Sequence, residues 1–145
     1  MSIISRWLIL IFSFLGIADS AYLADSALTG VLPTCRFGSV DGCKTVAQSA
    51  YSHLFGIPLG VYGVVFYTLL FILSAVALLW IHQKVKTAIQ VLAVFGVLAS
   101  LAFIGIQIFL IKALCLYCVT SAALTVFILI AAFWRQNTLS QESAL

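Results

Sequence analysis

The chain has 145 residues, of which 64% are hydrophobic and 8% charged, with a formal net charge of +3. A soluble domain of this size has too little interior to hide that apolar fraction, so the composition excludes a water-soluble globular protein and specifies an integral membrane one. The few charges are scattered, which excludes the clustered basic footprint of a nucleic-acid-binding protein.

The first apolar run extends from about Trp7 to Leu23, after Arg6, and carries Asp19 near its far end. Short side chains around Ala21 raise a signal peptide as the competing reading, but the run is longer than an apolar signal core of roughly 7–15 residues. Residues 24–56 form the long polar segment and hold Cys35, Gly38, Asp41, Gly42, Cys43 and His53. Within it, Lys44 to Leu54 reads as a short interfacial helix, with Val46, Ala50 and Leu54 along one side.

The second run, Ile57 to Ile81, has Pro58 in its first turn, where a missing N–H costs nothing. His82 to Lys86 is a short basic link, Thr87 to Ile111 the third run, and Lys112-Ala113 a tight turn. The fourth run, Leu114 to Trp134, precedes Arg135 and a polar tail, 136–145. Each run approaches or exceeds the ~20 residues needed to cross a bilayer, where backbone groups must pair internally, so each is read as a helix. The expected fold is an all-α four-transmembrane-helix bundle, one domain over residues 1–135, with loop 24–56 outside it.

Four spans put both termini on one side with Arg6, Lys84, Lys86 and Arg135, against Arg36, Lys44 and Lys112 on the other. The basic excess marks the first side as cytoplasmic. Cys35, Cys43, Cys115 and Cys118 then all fall at the exoplasmic face, where disulfides persist. Gly38, Asp41 and Gly42 permit the reversals that a Cys35–Cys43 bridge requires. Cys115-Leu-Tyr-Cys118 places two thiols one turn apart at a helix start, where the dipole favours a thiolate, expected on Cys118. The alternatives are a structural staple for the loop pair, incidental packing of small apolar residues for the helix pair, or zinc. The seven-residue gap in the loop pair is wide for zinc. Two pairs in series suit disulfide exchange, the loop pair meeting a soluble thiol and the helix pair a lipid-soluble acceptor.

Four stretches carry a more specific signal: Cys35-x7-Cys43, Cys43-Lys-Thr-Val-Ala-Gln-Ser49, Leu54-Phe-Gly-Ile-Pro-Leu-Gly-Val-Tyr-Gly-Val-Val-Phe-Tyr67 and Cys115-Leu-Tyr-Cys118. In order and spacing the chain resembles the vitamin K epoxide reductase family, in its prokaryotic single-domain form. The resemblance implies a membrane thiol–disulfide oxidoreductase that hands electrons to a quinone of menaquinone, ubiquinone or vitamin K type. It implies that Cys35 exchanges with a thioredoxin-like partner, Cys43 attacks Cys115, and Cys118 meets the quinone beneath the capping loop. Ser49, Val46, Phe55, Tyr62 and Phe66 match positions around the quinone. Two positions depart from vertebrate members: Leu59 stands where an asparagine contacts the vitamin K ring, and Ala122 where a tyrosine does. Losing both contacts argues against tight epoxide chemistry and leaves quinone reduction. The chain shows no fused thioredoxin-like domain, so the expected partner is a separate exoplasmic protein.

Three polar residues remain. Asp19 is an ionisable group in a span, a functional signal by default, though an interfacial place near the span's end suits it equally. Gln107 either faces the quinone or bonds across helices. His53 either assists proton transfer or is a solvated loop residue. The rival functions are a reductase of quinone or quinone epoxide for its own sake, and a non-enzymatic four-span protein with structural disulfides.

Overall fold

In the computed structural model, residues 1–37, 40–80 and 82–134 are described; Gly38, Ser39, Ile81, Arg135 and the tail 136–145 lie outside them. Four long helices, α1 (Ile3–Thr29), α3 (Leu59–Leu79), α4 (Gln83–Ile106) and α5 (Leu116–Phe133), form the bundle. α4 continues through a π-helical turn at Gln107–Ile111, and all four are long and apolar enough to cross a membrane.

α1 is longer at both ends than its apolar run. Ser2 caps its start, its side chain accepting the Ser5 N–H at 3.1 Å, and Gly30 at φ 73° ends it in the left-handed conformation open to glycine. At 27 residues it extends about 40 Å, so its last turns project beyond a ~30 Å hydrocarbon core. Ala24 to Thr29, expected in the loop, are therefore helical.

The remaining loop folds in three short pieces. β1 (Arg36–Phe37) and β2 (Val40–Asp41) pair antiparallel, with Arg36 opposite Asp41. α2 (Gly42–Ala47) follows, then a 3₁₀ turn at Ala50–Ser52. The single interfacial helix expected over Lys44 to Leu54 is thus broken at Gln48-Ser49, where the Ser49 hydroxyl donates to the Val46 carbonyl at 2.7 Å. A serine that bonds its own local backbone competes with helix continuation. β3 (His53–Leu54) and β4 (Ile57–Pro58) then form a hairpin around Phe55-Gly56, both at positive φ. Two such residues make the turn whose twist fits a two-residue hairpin.

Close approach explains the bundle. α1 and α3 meet through small residues: a Cβ on Gly60 would overlap the Ala24 backbone, one on Gly63 the Ser20 side chain, and one on Gly16 the Tyr67 ring. In a bilayer, helices gain little from burying apolar surface against each other, so tight van der Waals contact between small residues drives their association. Polar ties lock the ends. Arg6 Nη1 donates to the Ala77 carbonyl at 2.8 Å, near the C-terminus of α3, where a cation complements the helix dipole. Gln90 donates to the Ala132 carbonyl at 3.2 Å. The starts of α1 and α4 therefore lie beside the ends of α3 and α5, and the cysteines gather at the opposite end. Ile9, Tyr67, Leu70, Ile89, Ala93 and Ile128 fill the interior. Phe14, Val65, Ile72, Phe95, Leu98 and Leu101 point outward, a costly pattern in water and the expected one against lipid chains.

Candidate active site

The cysteines make a second, smaller core of their own. Cys35 and Cys43 are disulfide-bonded with Cα atoms 5.5 Å apart, brought together by the antiparallel turn of β1 and β2. Cys115 and Cys118 are free thiols. Cys115 occupies the cap position of α5 and Cys118 lies in its first turn. Cys115 Sγ stands 3.4 Å from Cys43 Sγ, although 72 residues separate them. Cys43 is 0% exposed, Cys115 2% and Cys35 7%, so Cys35 is the more exposed residue of the disulfide. Gly42 makes the sulfur contact possible: a Cβ there would overlap the Leu114 carbonyl oxygen.

The Cys115 thiol is lowered from the ordinary thiol range to about 7. The largest cause is a hydrogen bond with the Cys118 thiol; the backbone N–H groups of Cys118 and Tyr117 add to it, while burial and the Asp19 carboxylate oppose it. The thiolate is thus favoured on the capping Cys115, chiefly by the Cys118 thiol, whereas the helix-dipole argument expects it on Cys118. We predict that alkylation of Cys115 in the loop-oxidised protein, followed by peptide mass spectrometry, rises with pH and levels off above about 7. Below that pH the sulfur is protonated and slow. Replacing Cys118 with alanine removes the largest cause, so the midpoint should move up toward an ordinary thiol; an unmoved midpoint would refute this account.

Behind Cys118 lies an apolar cavity of about 300 Å³ between α1, α3, α4 and α5. Of the residues that the sequence pointed to, Val46, Leu59, Tyr62, Phe66, Gln107 and Cys118 line it. Ser49, Phe55 and Ala122 lie outside the lining. Ser49 is half-buried on the Val46 carbonyl. Phe55 sits at the hairpin tip, 92% exposed, and Ala122 is buried with its carbonyl bonded to Thr125 Oγ1 at 2.7 Å. Asp19 and His53 also lie outside the lining; His53 is exposed and bonds Ser52, and Asp19 keeps one buried oxygen without a partner among the described residues.

The polar groups of the wall were not all foreseen. Tyr67 Oη donates to the Ser121 carbonyl at 2.8 Å and shares a bond with its hydroxyl, and Ser100 pairs with Thr125 at 3.3 Å. Ser121 and Thr125 follow Cys118 at i+3 and i+7, so helical spacing from Cys118 alone would have found them. Tyr62 Oη donates to the Leu54 carbonyl at 2.9 Å and ties the β3–β4 hairpin to the mouth of the cavity.

A disulfide and a dithiol in sulfur contact, set against an apolar pocket in a transmembrane bundle, define a membrane thiol–disulfide oxidoreductase. Residues 7–133 match the Vitamin K epoxide reductase family, and the chain belongs to it. Enzymes of this family are quinone-dependent thiol oxidoreductases. No curated protein matches the chain.

Proposed function

We propose that the enzyme draws electrons from a separate thioredoxin-like protein through Cys35–Cys43 and then Cys115–Cys118, and delivers them to a quinone, supporting disulfide formation in exported proteins. The observation that carries this reading is the 3.4 Å approach of Cys115 Sγ to Cys43 Sγ. Each step is a thiolate attack on a disulfide. A partner thiolate attacks Cys35, forming a mixed disulfide and releasing the Cys43 thiolate. Cys43 attacks Cys115, releasing the Cys118 thiolate. Once the partner's second thiol frees Cys35, Cys35 attacks Cys43 and releases Cys115. The products are an oxidised partner, a restored Cys35–Cys43 disulfide and a reduced Cys115/Cys118 pair, the state described above. A quinone then takes two electrons and two protons from that pair, and the Cys115–Cys118 disulfide re-forms.

The cavity supports the acceptor's chemistry. Its volume of about 300 Å³ is at the low end for ligand pockets, it is mostly apolar, and Cys118 stands in its wall. A quinone ring is flat and apolar with few polar atoms. Menaquinone, ubiquinone and vitamin K type rings all meet this description. The basic residues Arg6, Lys84 and Lys86 at one end support a cytoplasmic placement of both termini, with the cysteines exoplasmic. We read residues 1–135 as one domain of prokaryotic type.

The order of the loop cysteines is tested by trapping. A Cys43→Ala variant mixed with oxidised thioredoxin-like partner should accumulate a Cys35–partner disulfide, visible on a non-reducing gel, because the resolving thiol is gone. A partner trapped only when Cys35 is removed would reverse the two roles.

A further inference from the structure

Ser20 stands on α1 in the cavity wall and is 3% exposed, yet its hydroxyl has no hydrogen-bond partner among the described residues. A hydroxyl in a helix commonly donates to the carbonyl one turn back, as Thr87 and Thr120 do here. The other helical hydroxyls of the wall are engaged. Tyr62 donates to the Leu54 carbonyl, Tyr67 to the Ser121 carbonyl and Thr125 to the Ala122 carbonyl. With its own hydrogen spent, Thr125 is left to accept from Ser100 at 3.3 Å, and Ser121 shares the Tyr67 oxygen at 2.8 Å. Ser20 alone among these six keeps its hydrogen uncommitted. Gly63, also in the wall, makes its place: a Cβ there would overlap Ser20 Oγ, so the hydroxyl lies over bare backbone. Leu59, one turn before Gly63 on α3, adds only apolar surface to the wall. Buried polar groups are rarely left unpaired, and one that lines a pocket is available to pair with what enters it. Ser13, two turns earlier on α1, provides the contrast: its oxygen is also buried and unpartnered among the described residues, but it lies outside the lining.

We propose that the Ser20 hydroxyl binds the quinone, donating a hydrogen bond to one of its carbonyl oxygens. The inference rests on the reading of this cavity as the quinone site. As Cys115 and Cys118 join in a disulfide they give up two electrons and two protons, and the quinone takes up both. Negative charge grows on its oxygens before their protons arrive. A fixed donor therefore counts for more in the transition state than in the bound quinone, and an apolar wall strengthens it. Ser20 keeps its own proton throughout.

The test uses the full-length protein and menadione, a soluble naphthoquinone, isotope-labelled at its carbonyls. Bound to the fully oxidised protein, which cannot reduce it, menadione should show a carbonyl stretching band displaced below its position in hydrocarbon. In Ser20→Ala that displacement should vanish, and single-turnover menadione reduction by pre-reduced protein should slow about tenfold, the scale of one hydrogen bond to a charged group. Ser13→Ala should leave both unchanged. A packing role for Ser20 would slow the reaction without moving the band, so an unmoved band in Ser20→Ala overturns the proposal, as does an unchanged rate. The wild-type spectrum is a test that needs no variant: carbonyl bands left at their hydrocarbon positions overturn the proposal even if Ser20→Ala does not accumulate folded. Absence of menadione reduction by wild type would instead remove the quinone reading itself.

Discussion

Cys118→Ala should lose quinone reduction by roughly a thousandfold or more, the scale expected when a reacting nucleophile is deleted. The reason is geometric as well as chemical. Cys115 is enclosed among the sulfurs of the loop, whereas Cys118 stands in the cavity wall. Removing Cys118 leaves no sulfur at that wall and no internal partner with which Cys115 can form the product disulfide. The variant still keeps Cys115 against Cys43. In a Cys35→Ser/Cys118→Ser double variant, Cys43 and Cys115 are the remaining pair, and the 3.4 Å approach predicts that they oxidise to a bridge with each other. Quinone absorbance measures the first outcome and peptide mapping the second. Quinone reduction at the wild-type rate by Cys118→Ala would sink the mechanism. Failure of the double variant to form the bridge would show that the sulfur contact is not a transfer path.

The second large effect is expected at a residue with no chemistry of its own. Gly42→Ala places a methyl group against the Leu114 carbonyl oxygen, which is backbone and has no rotamer with which to yield. Either α2 or the segment leading into Cys115 must shift, and both carry a sulfur of the relay. A displacement near 1 Å in a reacting pair costs on the order of a hundredfold in rate. Partner-driven turnover should fall by about that factor. Single-turnover oxidation of pre-reduced Cys115/Cys118 by quinone should fall less than that, because neither Gly42 nor Leu114 lines the cavity, to which α2 contributes Val46 alone. Equal losses in both measurements would mean that the substitution damages the bundle as a whole, a cost of about 1–3 kcal/mol being typical of overpacking.

Much of the fold was legible in the sequence because its causes are local. An apolar run long enough to cross a bilayer admits one backbone solution, so the four spans follow from composition. Their ends were harder to read. Ser2 and Gly30, the residues that stretch α1 to 27 positions, are cap signals outside the apolar run. Ser49, which helps break the expected interfacial helix, acts through a single side-chain bond to its own backbone. The candidate site was partly legible for a related reason. A Cys-x-x-Cys pair at a helix start and a loop pair bracketing a reversal are patterns of spacing, and Val46, Leu59, Tyr62 and Phe66 fall on the cavity wall. Ser100 and Tyr67 were missed because each reaches the wall from a different helix, and no one-dimensional pattern joins them.

By itself the sequence determined that the chain spans the membrane four times and carries two cysteine pairs at one end. It could do so because hydropathy and helical period act over about 20 residues or fewer. Only the tertiary structure decided which sulfur meets which. Cys43 and Cys115 are brought together by the bare backbone of Gly42 against Leu114 and by the turn that Gln107 closes. The favoured thiolate falls on Cys115 for a local reason, the hydrogen bond with the Cys118 thiol one turn on, to which the Cys118 and Tyr117 amides add. The sulfur contact is a through-space effect across 72 residues of chain, and it exists only once the helices have packed.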